Sequence, residues 1–266
     1  MVQTDIIPQK IISLTPSLTE ILFGLKCGLR VTVVTDSCDY PPEVKERPNV
    51  GCWFDPDLQQ LSALEPDLVM GLETAHLQLK PELESKGVPV LLVNPTTVDE
   101  AIADMEQIGK ILGSHATAQN LLARLRSRLA KIDATVQALD PADRLSACRI
   151  LDLEDGRLHV AGPQSFQYDI ITRAGGRNVT GSIGEAYPKI SFARLLEWDP
   201  QVIFNCGFDI KNTPGFAGRP EWKSLRAVKS GRVFTFDCGL TCRTGPRIVD
   251  MVALLFRTLY GDQLNH

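Results

Sequence analysis

The sequence predicts an α/β protein of two similar lobes, each built on a parallel sheet, joined by one long helix and leaving a ligand cleft between them. Three observations carry this prediction. Residues 58 to 70, LQQLSALEPDLVM, and residues 192 to 204, FARLLEWDPQVIF, write one pattern twice. Strand-like runs alternate with helix-like runs in both halves of the chain. A long proline-poor stretch separates the halves. The lobe boundaries read as 1–113 for the first lobe, 114–140 for the joining helix and 141–266 for the second lobe.

In the repeated pattern, apolar residues three apart (Leu58, Leu61, Leu64; Phe192, Leu195, Trp198) mark one face of a short helix. An acid-proline pair, Glu65-Pro66 or Asp199-Pro200, then stops it, because proline cannot continue a helix and pushes the preceding residue out of helical geometry. The apolar runs Leu68–Met70 and Val202–Phe204 follow as buried central strands.

The repeat extends outward. Lys10-IISL and Arg149-ILDL read as first strands. After the first, Ser17 and Glu20 have capping-box spacing for a helix through Leu25, ended at Gly28. In the second half, Gly162-Pro163-Gln164 opens a helix that ends at Gly175-Gly176. Gly87-VPVLLV and Gly231-RVFTF are matching late strands. Strands alternating with helices imply parallel sheets with helices on both faces. Between the halves, DEAIADMEQIGKIL is an amphipathic helix closing the first lobe before Gly113. From about Ser114 to Leu139, Ala118, Leu121, Leu122, Leu125, Leu129 and Ile132 recur at helical spacing, which reads as a stiff spine. Asp140-Pro141 then starts a fresh strand-first unit.

Composition narrows the function classes. Hydrophobic and charged contents of 44% and 23% are those of a soluble globular chain. A net charge of −4 gives no electrostatic reason to expect nucleic acid or anionic membrane as partner. No apolar run approaches the ~18–20 residues that span a bilayer. The start, MVQTDIIPQKIISL, lacks signal-peptide character, so the protein is cytoplasmic if Met1 is the native start, or periplasmic or cell-surface if a signal was removed. Seven scattered cysteines, an odd number, do not resemble a disulfide framework.

Signatures of catalysis are mostly missing. Neither a phosphate loop nor spaced dinucleotide glycines follow the first strand, and there is no G-x-S-x-G elbow. The four histidines have no ligand-like spacing. Cys238 and Cys242, four apart across Gly239, read as two free thiols rather than a metal pair. The informative residues are in loops at strand ends, where open parallel sheets bind ligands. Tyr40, Trp53 and Phe54 offer flat apolar surface for a large planar ligand. Tyr40, held between prolines, is expected to pack beneath its loop, whereas Trp53, between Gly51 and Pro56, is expected to face the cleft. In the second half, Pro246 suits the first turn of the last helix, with Arg243 and the N–H groups near Gly245 reaching a polar ligand and Arg247 tying the loop.

Four runs, KIISLTPSLTEILFGL, VTDSCDYPPEV, LSALEPDLV and RTGPRIVD, resemble one family in order across nearly the whole chain. It is the helical-backbone substrate-binding proteins of ABC importers, in particular their cobalamin-binding branch. The resemblance implies two Rossmann-like lobes joined by a rigid helix, a small-molecule ligand held between them, a monomer, and binding rather than catalysis. By position, Trp53 is similar to the branch's tryptophan that packs on the corrin, and Arg243 to its cleft arginine. The chain departs from the pattern at Ser37, where a ligand-contacting tyrosine is expected, and at Gly239, where a cleft aspartate is expected. It departs again at Gln59 and Ala193, which stand where the family has acids that dock to the permease, with Asp57 and Glu197 as neighbouring substitutes.

The expectation is therefore a binder of cobalamin or a related corrinoid, with ligand contacts at Trp53, Arg243, Ser37, Phe54, Gly239 and Gly245, no resident cofactor or metal, and an ABC importer permease as partner. Haem, with Tyr40, Cys52 or Cys242 as axial-ligand candidates, and a ferric siderophore are the alternatives among binders. A cytoplasmic corrinoid carrier without an importer, and a metal-thiolate enzyme using Cys238 and Cys242, are the alternatives of other classes.

Overall fold

The computed structural model describes residues 7–207, 210 and 214–261. The first six residues of the run MVQTDIIPQKIISL and the C-terminal His266 lie outside these residues. The chain forms two compact units. The first comprises residues 1–95, 99–126 and 244–246; the second comprises 96–98, 127–243 and 247–266.

The first unit begins with strand β1 (Ile11–Ser13), helix α1 (Pro16–Gly24) and strand β2 (Val31–Val34). Helix α2 (Leu58–Ala63), strand β3 (Leu68–Leu72), helices α3 (Glu73–His76) and α4 (Lys80–Ser85) and strand β4 (Val90–Val93) follow. The sheet order is β2-β1-β3-β4, parallel throughout, so the chain passes to opposite sides of β1 and opens a crevice at the strands' carboxyl ends. Helices α5 (Val98–Ile111) and α6 (His115–Ala138) come next. The 24 residues of α6 span about 36 Å. All six apolar positions read from its spacing are buried, and the boundary of the two units falls within it, between Arg126 and Ser127.

The second unit continues with strands β5 (Ser146–Glu154) and β6 (Arg157–Val160), helix α7 (Phe166–Arg173), strands β7 (Arg177–Asn178) and β8 (Lys189–Ile190), helix α8 (Phe192–Trp198) and strand β9 (Val202–Cys206). Short helices α9 (Pro214–Ala217), α10 (Pro220–Ser224) and α11 (Arg226–Lys229), strand β10 (Val233–Phe236), helix α12 (Cys238–Thr241) and helix α13 (Ile248–Tyr260) complete it. The sheet order is β10-β9-β5-β6-β8, with β7 also on β5. This sheet is mixed, which corrects the expectation of two parallel sheets. Strands β6 and β8 run antiparallel because Asp155-Gly156, both at positive φ (50° and 73°), turns β5 back as a tight hairpin.

The repeated pattern is a repeat in conformation. Glu65 and Asp199 both adopt left-handed backbone, with φ of 46° and 39°. Each helix is capped by a side chain: Asp57 accepts from the N–H groups of Gln59 and Gln60, and Ser191 from that of Arg194. The residue after the proline fastens the start of each lobe's first strand. Asp67 Oδ2 accepts from the N–H groups of Gln9 and Lys10, both at 2.8 Å, while Gln201 Oε1 accepts from the Ser146 N–H at 3.0 Å.

Three local readings are corrected. The capping box at Ser17 and Glu20 does not form, because Pro16 at the first helical position makes Thr15 the cap residue. Ser17 Oγ instead accepts from the Thr244 N–H at 3.0 Å. Helix α7 is opened by Ser165, whose hydroxyl accepts from the Tyr168 N–H, rather than by Gly162. Helix α13 starts at Ile248, so Pro246 precedes it.

Candidate functional site

In the first unit the loops that leave the carboxyl ends of β2 and β3 converge on Trp53. Beyond β2 the segment around Asn49 runs parallel to it, with the Val34 N–H donating to the Pro48 carbonyl and the Val50 N–H to the Val34 carbonyl, and delivers residues 51–54 to the sheet edge. The half-buried Trp53 ring lies on Phe54 with ring centroids 3.6 Å apart at 34°, and Phe54 is 62% exposed. Trp53 is fixed from below by a histidine that no motif or spacing in the sequence marks. His76, fully buried at the end of α3, takes the Leu72 N–H on Nδ1 at 3.0 Å, so Nε2 carries the proton and donates to the Trp53 carbonyl at 2.6 Å. Burial pushes the His76 pKa down, against the raising effect of its backbone partners Trp53 and Leu72. Gly71 makes room for this ring, since a Cβ there would stand 2.8 Å from Nδ1.

Ser37 is half-buried and its hydroxyl donates to Asp36 Oδ1 at 3.0 Å. Tyr40 is 42% exposed, so the expectation that it packs beneath its loop is corrected: Pro41 and Pro42 hold the backbone there without covering the ring. Gly245 is buried in the first unit, where a Cβ would meet Glu20 Oε2 at 3.0 Å and the Ser17 carbonyl at 3.2 Å. That packing takes it out of the set of open ligand contacts.

The second unit assembles a different group at the carboxyl ends of β9 and β10. Arg243 is half-buried there, and a Cβ at Gly239 would lie 2.8 Å from Asp237 Oδ1 and 3.6 Å from the Arg243 guanidinium carbon. Asp237 thus stands beside the position where the resemblance led one to expect an aspartate. Arg247 Nη2 donates to the Gly239 carbonyl at 3.0 Å and ties this loop, as its position suggested. Tyr187, 44% exposed, donates to Gln167 Oε1 at 2.9 Å and adds an aromatic surface that sequence spacing did not single out.

Next to these residues, Cys206 ends β9, Cys238 opens α12 and Cys242 follows it, and their sulfurs all lie within 4.8 Å of one another. Cys206 and Cys242 Sγ are 3.1 Å apart. Arg149, in β5 and 1% exposed, directs Nη2 at both sulfurs, 3.2 Å from each. The hydrogen bond from Cys206 and then the charge of Arg149 hold the Cys242 thiol well below its ordinary range, whereas Cys206, which keeps the shared proton, is driven up. Gln59 and Ala193 are both exposed on their helices, so neither offers a charge; Asp57 is occupied in capping α2, and Glu197 pairs with Arg194 at 2.7 Å.

Comparison with known proteins places the chain. The sequence profile described as "Periplasmic binding protein" matches residues 11–238. The chain belongs to the periplasmic binding protein family. The family is one of substrate-binding proteins, and the chain shares its two-lobe α/β fold. An uncharacterized ABC transporter substrate-binding lipoprotein, YvrC of Bacillus subtilis, is 27% identical over 96% of this chain and 81% of its own length. A vitamin B12-binding protein of Vibrio campbellii is 27% identical over 92% of this chain and 86% of its own. Among solved structures, the periplasmic heme-binding protein RhuT of Roseiflexus sp. RS-1 superposes with a TM-score of 0.83 at 23% identity, covering 95% of this chain and 98% of that one. Among the described residues, no helix of this family member is long and apolar enough to cross a membrane.

Proposed function

We propose that this periplasmic binding protein reversibly binds a cobalamin-like corrinoid and delivers it to an ABC-type importer. The observation that carries the reading is the Trp53–Phe54 stack at the carboxyl edge of the first sheet, with Phe54 62% exposed and Trp53 pinned by His76. A rigid aromatic platform beside strand ends suits a large, flat, partly apolar ligand better than a small ion. The resemblance of Trp53 and Arg243 to the cobalamin branch supports the same reading, as does the vitamin B12-binding relative. On this reading Trp53, Phe54 and Ser37 meet the macrocycle, while Arg243, with Gly239 leaving room beside it, meets polar substituents. Gln59 and Ala193 are uncharged at the docking positions, so delivery rests on neighbouring acids, Asp57 and Glu197 first among them.

Haem is the second reading, and the exposed Tyr40 phenol favours it as an axial donor. His76 does not serve, since both of its ring nitrogens are engaged by Leu72 and Trp53. The test is an absorbance and calorimetric titration of the purified chain with cobalamin, cobinamide and haemin. Saturable one-to-one binding of the corrinoids sustains the proposal, and binding of haemin alone replaces it with the second reading. Sequencing upstream of the coding start, with fractionation of the native host, tests an extracytoplasmic location.

A further inference from the structure

The cysteine cluster lies wholly inside the second unit and is independent of the aromatic platform. Three sulfurs from two adjacent strand ends and one helical turn lie within 4.8 Å of one another. Sulfurs bound to one zinc-like ion at about 2.3 Å stand roughly 3.8 Å apart, so the cluster already has the dimensions of a thiolate site. The Cys206–Cys242 contact of 3.1 Å would need to open by about 0.7 Å to reach that separation, and Cys242, exposed at the end of α12, has room to do so. Gly207, with φ of 82°, lets the chain leave β9 in a left-handed turn against Cys238 Sγ, which a Cβ would approach to 3.1 Å.

The second observation is Arg149. A guanidinium 1% exposed needs negative charge beside it, and among the described residues no carboxylate pairs with it. Its Nη2 faces the sulfurs of Cys206 and Cys242, its Nη1 reaches only the Thr241 carbonyl at 3.4 Å, and its Nε has no hydrogen-bond partner. Three thiolates around a divalent cation leave one negative charge, which the guanidinium neutralises; a monovalent cation would leave the site charged. Thiolate donors select soft and borderline metals over magnesium or calcium.

We propose that Cys206, Cys238 and Cys242 form a three-thiolate site for a thiophilic divalent cation of the zinc type, with Arg149 balancing its charge. Binding forms three metal–sulfur bonds and releases to solvent the thiol protons that the three sulfurs still carry, with no change of oxidation state. Cys238 and Cys242 face solvent, which leaves the fourth coordination position to water or an exchangeable donor.

The full-length chain, stripped of metal and kept reduced with a phosphine under argon, is titrated with Cd²⁺ and, in competition with a chromogenic chelator, with Zn²⁺. One ion per chain, a thiolate-to-cadmium charge-transfer band and proton release are expected. Cys238→Ser and Cys242→Ser, both at exposed positions, are each expected to weaken binding by about 100-fold or more. Cys52→Ser, elsewhere on the surface, leaves it unchanged. Circular dichroism of each variant separates loss of the site from loss of the fold. Absence of the band in folded wild-type protein, or an unchanged affinity in folded Cys238→Ser, overturns the proposal. A Cys206–Cys242 disulfide that forms in place of metal binding also overturns it. Cobalamin titration of the metal-free protein reports on the corrinoid reading separately, so the two fail or stand independently.

Discussion

The Nε2–H of His76 donates to the carbonyl of Trp53 across 2.6 Å, joining the end of α3 to a loop that begins beyond β2. Trp53 therefore owes its position to a histidine 23 residues away. Replacing His76 with alanine removes this bond and opens a cavity beside Gly71. The expected outcome is a loss of about 1–3 kcal/mol of stability, read by urea unfolding, together with weaker corrinoid binding than wild type under conditions where both are folded.

Trp53→Ala tests the platform itself. Removing the indole is expected to weaken cobalamin binding by roughly 1–3 kcal/mol while the chain stays folded. Trp53→Phe should recover part of the loss. An unchanged calorimetric affinity in Trp53→Ala takes this residue out of the site.

Stability should respond to pH in two opposed ways. Asp104 borders a cavity lined by β4 and α5, and burial, followed by the charge of Glu100, raises its pKa from 3.8 to about 6. Between those values the folded state holds the proton more tightly than the unfolded chain, so this group lowers stability as pH rises from about 4 to 6. His76 has the opposite sign. Its folded pKa lies below 6.5, so its contribution is present above that value and is lost as pH falls. Asp104→Asn should stabilise the protein at pH 7 by about 1 kcal/mol, because solvent still reaches the carboxyl and screens part of the shift. It should also make stability fall more steeply on acidification below 6.5, as measured by denaturant titrations across the range.

In metal-free reduced protein, Cys242 should alkylate ahead of the exposed Cys52 at pH 6, because Cys206 and Arg149 hold its sulfur as thiolate. Cys206→Ala removes the largest cause and should slow the reaction at pH 6 by roughly tenfold per unit of restored pKa, with little change at pH 9. Peptide mapping after brief iodoacetamide treatment reads both rates.

What was legible in the sequence followed from local periodicity. The six apolar positions of α6 and the paired helix-proline-strand segments fixed their elements because spacing along the chain reports one face of one element. The cap at Ser17 fails for an equally local reason: Pro16 claims the first helical turn and moves the cap to Thr15. Asp155-Gly156 carried a hairpin signal that explains the mixed sheet. The chemistry of the second unit was not legible. Arg149 reads as an ordinary polar residue at the head of a strand, and only the pairing of β5 with β9 brings it to Cys206, 57 residues away. His76 and Trp53 meet in the same non-local way. Residues that act through neighbouring strand ends leave no periodic mark.

The residue after each proline has a consequence for synthesis. Asp67 fastens Gln9, 58 positions earlier, and Gln201 fastens Ser146, 55 positions earlier. Until those segments leave the ribosome, each lobe's first strand has one bare edge and an untied end. At 5–20 residues per second the interval is roughly 3–12 s, spent twice in making one chain. A nascent chain stalled before Pro66 or Pro200 would present an open apolar strand to any neighbour able to pair with it. Translational pausing ahead of either proline should therefore be more harmful to yield than pausing just after the strand that follows.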